Sequence, residues 1–331
     1  MAQESMVKRV KIIGTGSYTP ERVVTNIELE KLVSTNDTWI QENLGIRERH
    51  IAGSDCATSD LAYAAAEKAL QNAGVQADEL DMIILATATP DRIAPATAPK
   101  VQAKLGAVRA AAFDINAVCA GFIYGLTIGA QFVGTGMSRK VLVIGADTFS
   151  KIIDWRRRDC VFFGDGAGAV VLSDTLDDTG FLCSRLYSDG NGYESFTVPA
   201  GGSEMPPTQK TVSDGLHYFQ MNGRSVFETA VKVIPEALLH VINSSGVSID
   251  DIKHVIPHQP SINILKESAK RIGIPFSKFH TNMDRYANTS SATIPLLLDE
   301  VNSTGCIEQG DLVAFVAVGA GWTWGASLLR W

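Results

Sequence analysis

The segment Phe113–Leu126 (FDINAVCAGFIYGL) decides how the rest of the chain is interpreted. It has the pattern of a buried strand that turns sharply at Cys119 and continues directly into a helix. A cysteine at such a junction lies where helix N-terminal N–H groups converge, and their field favours the thiolate. Ala120 and Gly121 leave space for a reacting carbonyl to approach the sulfur. A structural cysteine that packs as a small apolar residue explains the segment equally well, so other parts of the chain must decide.

Composition limits the classes of protein to consider. With 331 residues, of which 45% are hydrophobic, the chain can form one large α/β unit or two domains of ordinary size. The net charge of −7 argues against nucleic acid as the main partner. Five cysteines without a C-x-x-C pair favour a reducing cytoplasm over a disulfide framework. The first ten residues lack the apolar core of a signal peptide, and no apolar run is long enough for a membrane span, so we expect a cytoplasmic protein.

Hydrophobic periodicity and turn residues predict alternating strands and helices. The Gly14-Thr15-Gly16 turn is not a dinucleotide-binding loop, because Thr19 stands at the third glycine position and Pro20 follows it. Strands are predicted at Val7–Gly14, Asp81–Thr87, Val141–Ile144, Phe163–Leu172, Val255–Pro257 and Leu312–Val318. Helices are predicted at Asn26–Val33, Thr38–Asn43, Ser59–Ala73, Ala96–Leu105, Cys119–Gly134, Gly223–Ser244, Ile262–Ile272 and, around Pro295–Ser303, in the last part of the chain.

A weak internal repeat divides the chain. Phe163–Leu172 (FGDGAGAVVL) is similar to Val318–Leu329 (VGAGWTWGASLL), and the turn at Cys119 has a counterpart in Asn288–Ala292 (NTSSA). The pattern predicts two βα halves, 7–174 and 175–331, packed as layers of sheet and helix. Residues 175–216 are rich in Asp, Gly, Ser and Pro, so they are predicted as connecting loops with one strand near Leu182–Tyr187.

Three further features can carry chemistry. His258 follows a predicted strand and is flanked by Pro257 and Pro260, which suits a side chain held at a strand end, although most such histidines are structural. Asn288 precedes a helical stretch and is by itself an ordinary N-cap. The N–H groups of the turn Gly319–Gly321 can bind an oxyanion, or the segment is only a tight turn. No metal site is predicted, because Pro257 prevents the helix that would align His254 with His258.

In this order the features resemble those of the β-ketoacyl-acyl-carrier-protein synthase III family. The motifs AVCAGF, PHQ, ANTS and GAGxTWG are similar to its signatures, and the resemblance extends over essentially the whole chain. It implies a thiolase-like α/β fold, with two similar halves forming a layered αβαβα core. It also implies decarboxylative Claisen condensation of an acyl-CoA primer with a malonyl thioester, which begins fatty acid synthesis. The substrates are coenzyme A thioesters, and no other cofactor is implied.

The resemblance assigns roles residue by residue. Cys119 would receive the acyl group, and its N–H with that of Ala320 would bind the oxyanion. His258 and Asn288 would donate hydrogen bonds to the developing enolate. The implied coenzyme A contacts are Trp39 and Arg157, which would sandwich the adenine, and Phe227, which would line the pantetheine tunnel.

The chain departs from the family at several positions. Ala94 stands where a gating Phe from the partner subunit is common, which implies a homodimer with a roomier acyl pocket. Ala287 replaces a common Gly, which should matter little if its φ is negative. Glu228 and Asn263 replace basic residues that dock the acidic carrier protein; the residues that could compensate are Lys266, Lys270 and Arg271.

These departures keep two alternatives open. One is a specialised relative of secondary metabolism that condenses or transfers acyl groups from coenzyme A thioesters. The other is a non-catalytic acyl-CoA-binding protein, which the presence of Cys119, His258 and Asn288 argues against.

Overall fold

The computed structural model describes residues 9–331, and its strands form two main sheets. The thirteen strands are β1 (Arg9–Tyr18), β2 (Val23–Thr25), β3 (Glu48–His50), β4 (Met82–Ala86), β5 (Ala111–Ile115), β6 (Lys140–Thr148), β7 (Asp165–Thr175), β8 (Gly180–Ser188), β9 (Phe196–Thr197), β10 (Gln220–Met221), β11 (Ile252–Pro257), β12 (Leu312–Gly319) and β13 (Thr323–Arg330). The first sheet has the order β1-β7-β6-β4-β5, and the second has the order β11-β12-β13-β8. Two small antiparallel pairs, β2 with β3 and β9 with β10, lie outside them.

In the part of the chain that the structure describes, ten α-helices connect and cover the sheets. They are α1 (Asn26–Leu29), α2 (Asp37–Leu44), α3 (Thr58–Ala73), α4 (Ala98–Leu105), α5 (Gly121–Gly134), α6 (Gln209–Ser213), α7 (Gly223–Ser245), α8 (Ile262–Ile272), α9 (Met283–Tyr286) and α10 (Thr293–Ser303). Within residues 9–331, none of these helices combines the length and the apolar character that crossing a bilayer requires.

The helices and sheets form five layers. Helix α3 packs on β1, β6 and β7, outside the first sheet, and α7 packs on β8, β12 and β13, outside the second. Helices α5 and α10 lie between the sheets: α5 contacts strands of both, and α10 contacts β1, β6 and β7 as well as β11. The central apolar core is therefore shared by both sheets.

Glycines let α5 approach the first sheet closely. Gly121, Gly125 and Gly129 lie four residues apart, so they line one face of the helix. A Cβ at Gly125 would lie 2.9 Å from Val143 Cγ1, and one at Gly129 would lie 3.0 Å from Leu172 Cδ1. Small residues on this face thus bring the start of α5, and Cys119 before it, onto the edge of the sheet.

The two sheets repeat the same strand pattern. In each, an antiparallel pair follows a helix that starts from a 3₁₀ turn: β6 with β7 after α5, and β12 with β13 after α10. Next to β6 runs parallel β4, and next to β12 runs parallel β11. The second sheet has only a trace of a strand corresponding to β5, a single parallel bridge between Val255 and Phe279.

The observed elements differ from the predicted ones at a few places. The predicted strand Val7–Gly14 is observed as Arg9–Tyr18; Val7 and Lys8 lie outside the described residues. The strand continues because Gly14 and Gly16 do not make a turn but accommodate α3: a Cβ at Gly16 would lie 2.3 Å from Ala69 N. In the loop-rich region 175–216, the strand predicted near Leu182–Tyr187 is confirmed as β8, an edge strand of the second sheet, and the region also contains short elements that were not predicted.

Candidate active site

Cys119 lies in a strained turn between β5 and α5. A 3₁₀ turn covers Val118–Ala120, and Val118 has a φ of 46°. Only 4% of Cys119 is exposed. The N–H of Ala120 donates to Ala117 O at 3.0 Å, and that of Gly121 donates to Val118 O, so the turn itself uses the first donors of the helix.

A glycine turn from the second half lies against this junction. A Cβ at Gly319 would lie 2.6 Å from Ala117 O and 3.0 Å from Cys119 N, so only glycine fits there. Thr323 Oγ1 fastens the contact by donating to Ala117 O at 3.0 Å or to Ala320 O at 3.1 Å. The contact brings the backbone of Ala320 beside that of Cys119, the arrangement that a two-donor oxyanion site needs.

His258 follows the end of β11 and is held from two sides. Its N–H donates to Val316 O at 2.8 Å, and its ring Nδ1 lies 2.7 Å from Thr293 Oγ1 at the start of α10. The residue is 2% exposed. Burial lowers the pKa of His258 to about 3, so the ring is neutral at physiological pH.

Asn288 is fixed by backbone bonds between the two halves. Its N–H donates to Phe162 O at 3.0 Å, and its carbonyl accepts from Gly164 N at 3.0 Å. The side-chain Oδ1 accepts from Ser290 N at 2.8 Å, which orients the amide so that its NH₂ group is the end available to a ligand.

Ala287 does not have the negative φ on which its small expected effect depends. Its φ is 56° and its ψ is −150°, a region that glycine occupies easily and alanine does not. The substitution therefore strains the backbone immediately before Asn288, and the small effect expected for a negative φ does not apply.

The expectation of a thiolate in the resting chain is also wrong. Burial raises the pKa of the Cys119 thiol to about 12, and hydrogen bonding from Ser290 opposes that rise only in part. Cys119 Sγ lies 3.8 Å from Ser290 Oγ. The thiol is protonated at neutral pH, so a base must remove its proton when a substrate binds.

These groups meet in one cavity between the halves. The cavity has a volume of about 330 Å³ and extends from Cys119 to the surface near Trp39. Its lining is largely apolar, which suits an acyl chain and a pantetheine arm. Six predicted site residues line it: Trp39, Cys119, Phe227, His258, Asn288 and Ala320.

Trp39, one side of the predicted adenine sandwich, is in contact with an arginine in this structure. Arg158, not Arg157, covers Trp39, with its Cζ 3.8 Å from the ring centroid. Arg157 instead donates to Asp159 Oδ2 at 2.9 Å. Both arginines lie in one short turn beside the cavity mouth, and Phe227, 40% exposed, lines the same mouth.

The other predicted residues lie outside the cavity of this chain. Ala94 is exposed in the segment before α4. Lys266, Lys270 and Arg271 are exposed on α8, whose first turn reaches the cavity through Asn263. Arg271 forms an ion pair with Glu267 at 2.8 Å.

Sequence reasoning missed two groups that support the site. Thr293 bonds His258, and Asp147 holds the turn that follows Asn288 by accepting from Ser291 N at 3.0 Å and Ser291 Oγ at 2.7 Å. Both are small or charged residues at element ends, and nothing in their spacing distinguishes them from ordinary caps. The aromatic cavity lining, Phe162, Phe163 and Phe196, was not predicted either.

Comparison with known proteins identifies the family. The family model described as 3-oxoacyl-[acyl-carrier-protein] synthase III matches residues 113–190, and the model of its C-terminal part matches residues 242–331. The chain is 50% identical to the β-ketoacyl-[acyl-carrier-protein] synthase III of Caldanaerobacter subterraneus over 97% of each chain. It is 47% identical to that of Symbiobacterium thermophilum over 98% of this chain and 99% of the relative.

A solved structure shows the same architecture. The 3-oxoacyl-[acyl-carrier-protein] synthase III of Aquifex aeolicus has a TM-score of 0.91 and 42% identity, covering 97% of this chain and all of that one. The five layers and the cysteine site between two similar halves thus define a protein of the thiolase fold, as predicted. Within that class, the chain belongs to the 3-oxoacyl-[acyl-carrier-protein] synthase III family, which confirms the resemblance.

Proposed function

We propose that this protein condenses an acyl-CoA primer with a malonyl thioester on acyl carrier protein, giving a 3-oxoacyl product that begins a fatty acid chain. One observation carries the proposal: in a chain of this family, Cys119, His258, Asn288 and the turn at Ala320 line a single apolar cavity.

The first step transfers the acyl group to Cys119. The Sγ atom attacks the thioester carbonyl, and the carbonyl oxygen takes up negative charge between the N–H groups of Cys119 and Ala320. Neutral His258 removes the thiol proton at Nε2 when its own proton is on Nδ1, and passes it to the departing coenzyme A sulfur. The Sγ–C bond forms, the C–S bond to coenzyme A breaks, and the free thiol of coenzyme A leaves.

The second step makes the new carbon–carbon bond. Malonyl thioester loses carbon dioxide, and the electron pair moves onto its thioester oxygen as an enolate. His258 Nε2–H and Asn288 Nδ2–H donate to that oxygen. The enolate carbon attacks acyl-Cys119, the bond to Sγ breaks, and one proton from solvent restores the thiol.

The two steps need opposite tautomers of His258, and Thr293 supports both. Its hydroxyl lies 2.7 Å from His258 Nδ1 and 2.8 Å from Ser290 O. When it donates to Ser290 O it accepts from Nδ1–H, and Nε2 is a base. When it donates to Nδ1, Nε2 carries the proton and is a donor.

Coenzyme A and carrier protein are proposed to bind at the cavity mouth. Trp39 and the arginine turn would hold the adenine, with Arg157 as the predicted partner and Arg158 as the residue that covers the ring without coenzyme A. Lys266 and Lys270 lie on the same face of α8 as Asn263 at the mouth, at spacings of three and four residues, so two cations lead from the mouth toward an acidic carrier.

We further propose a cytoplasmic homodimer. Exposed Ala94, next to Ile93 with 88% of its surface exposed, suits a segment that a second copy covers and that reaches the partner's acyl pocket. The cysteine pattern, five residues without a C-x-x-C pair, supports a reducing compartment.

Mass spectrometry and a paired assay test the function. Incubation with acyl-CoA should add one acyl group to Cys119, and subsequent malonyl-carrier protein should remove it as 3-oxoacyl-carrier product. If no acyl group is found on Cys119, the proposed condensing activity is excluded. Turnover with malonyl-CoA but not with malonyl-carrier protein would favour the specialised relative of secondary metabolism. The relatives that are 50% and 47% identical to this chain are both named synthase III, which does not favour that alternative.

A further inference from the structure

A cluster of metal-ligating side chains lies at the far end of β11 from the active site. His254 is the third residue of β11, His280 lies in the segment that bridges to that strand, and Cys306 lies in the loop between α10 and β12. One ring nitrogen of each histidine and the sulfur of Cys306 all lie within 4.8 Å of one another. Three separate segments thus bring two imidazoles and a thiol to one point.

The cluster is independent of the catalytic cavity. Neither histidine nor Cys306 lines that cavity. His254 and His258 are four residues apart in the same extended segment, which corresponds to about 13 Å at ~3.3 Å per residue. The sequence excluded a metal on His254 and His258, and the fold instead pairs His254 with residues 26 and 52 positions further along the chain.

The arrangement of the imidazoles is that of metal ligands. His254 Nδ1 lies 2.9 Å from His280 Nε2, while His254 Nε2 lies 3.2 Å from Asp311 Oδ2. Histidines that bind metals usually donate their other N–H to a carboxylate, which fixes the tautomer and leaves the first nitrogen free to bind. Asp311 is itself oriented, since the same Oδ2 accepts from Glu308 N at 2.9 Å.

The backbone holds the second imidazole in place. His280 N donates to Val255 O at 2.9 Å, and its carbonyl lies 3.3 Å from Gln259 Nε2. Cys306 is exposed and follows Gly305, whose φ is 70°. A metal can therefore enter from solvent on the side of the loop that carries Cys306.

We propose that His254 Nδ1, His280 Nε2 and Cys306 Sγ bind one Zn²⁺ ion, with a water as fourth ligand and Asp311 supporting His254. Imidazole and thiolate are the ligands that zinc prefers, and tetrahedral bonds of about 2.0–2.3 Å place such donors ~3.3–3.6 Å apart. The 2.9 Å separation of the two nitrogens needs to open by only a few tenths of an ångström.

Binding changes protonation in a defined way. The proton that joins the two imidazoles moves to the other nitrogen of His280, and Cys306 loses its proton to solvent. The ion then fastens the loop between α10 and β12 to the edge of the second sheet. Because it binds only the folded chain, it stabilises that chain in proportion to the logarithm of its free concentration over Kd.

Cobalt spectroscopy tests the site on the full chain carrying Cys119→Ser, so that the active-site thiol cannot contribute. After removal of metals by a chelator, one equivalent of Co²⁺ should give a sulfur-to-cobalt charge-transfer band and tetrahedral d–d bands. Cys306→Ser should abolish the charge-transfer band, and Asp311→Asn should raise the Kd by about 10- to 100-fold. Cys183→Ser, a half-buried cysteine elsewhere, should change neither.

Thermal unfolding gives an independent readout. Zn²⁺ should raise the Tm of the parent and of Cys183→Ser but not of Cys306→Ser, whose exposed position makes it a mild change. The proposal is overturned if no charge-transfer band appears, if Cys306→Ser keeps it, or if Zn²⁺ shifts the Tm of Cys306→Ser as much as that of the parent.

Discussion

The molecule contains two copies of one backbone turn that do different work. The first, Val118–Ala120, leads into α5, and the second, Ser290–Ala292, leads into α10. Both are 3₁₀ turns that open on a positive φ, 46° at Val118 and 54° at Ser290. The middle residue of the first is Cys119, which faces the cavity. The middle residue of the second is Ser291, whose Oγ lies 2.7 Å from Asp147 Oδ2 and 2.8 Å from Ala86 O, so its one proton is donated within the protein.

The comparison shows that one turn geometry supports two different roles in the same chain. One copy presents a nucleophile. The other braces the interface between the halves and starts the helix on which Thr293 contacts His258. The same 3₁₀ turn thus presents the reactive Cys119 in one half, and in the other half it positions residues that contact the site.

The largest expected effect on activity comes from removing the thiol of Cys119, the middle residue of the first turn. Cys119→Ala should reduce acyl transfer and overall turnover by at least about a thousandfold, because no other group can form the thioester. The Tm should change little, since a small residue replaces a small one. Covalent labelling by acyl-CoA and steady-state turnover measure the outcome; labelling that persists at another residue would contradict the assignment.

Thr293→Val tests the helix start that the second turn provides. Valine keeps the shape but cannot bond His258 Nδ1, so kcat should fall by about 100-fold with little change in the KM for acyl-CoA. Thr293→Ser is the matched control and should restore most of the rate. Single-turnover assays of acylation and of malonyl decarboxylation should both slow; loss in neither would remove Thr293 from the mechanism.

Ser291→Ala breaks the supporting role of the second turn. Removal of the hydroxyl leaves part of the bonding capacity of Asp147 unused inside the protein, which should lower the free energy of unfolding by about 1–3 kcal/mol. Acylation of Cys119 should continue at temperatures where the variant is folded. Chemical denaturation measures the free energy of unfolding. A variant that is folded but does not acylate Cys119 would contradict a purely supporting role for Ser291.

The smallest effect concerns the backbone just before the second turn. Ala287→Gly should raise the free energy of unfolding by about 1 kcal/mol, because glycine relieves the strain at a φ of 56°. Ala292→Gly, at a φ of −78°, is the matched control and should lower it by about as much. An equal decrease in the free energy of unfolding in both variants would show that Ala287 is not strained.

Much of the fold and site could be predicted from the sequence. The motifs around Cys119, His258 and Asn288 indicated the family, and helix α8 begins and ends at the predicted residues, Ile262 and Ile272. These features depend on local pattern, which the sequence displays directly.

The errors share a cause: each depends on what a residue meets in space. The glycines at 14 and 16 looked like a turn because α3, which they contact, is more than 40 residues away. The thiolate was expected from the helix dipole, whereas burial dominates the pKa of Cys119, and Ser290, which lies against its sulfur, belongs to the distant second half of the chain. The assignment of Arg157 to the adenine stays a prediction: Arg157 and Arg158 are neighbours in sequence, and only the folded turn shows that Arg158 covers Trp39.

The shared middle layer has a consequence for cutting the chain. Leu176 is fully exposed in the short connection from β7 to β8, so a protease nick between Asp177 and Asp178 would leave both sheets whole. Yet α5 belongs to the first piece and also packs on β8, β12 and β13, while α10 belongs to the second and packs on β1 and β7. The nicked pieces should therefore stay associated, and pieces produced separately should regain acylation only when mixed, as in fragment complementation.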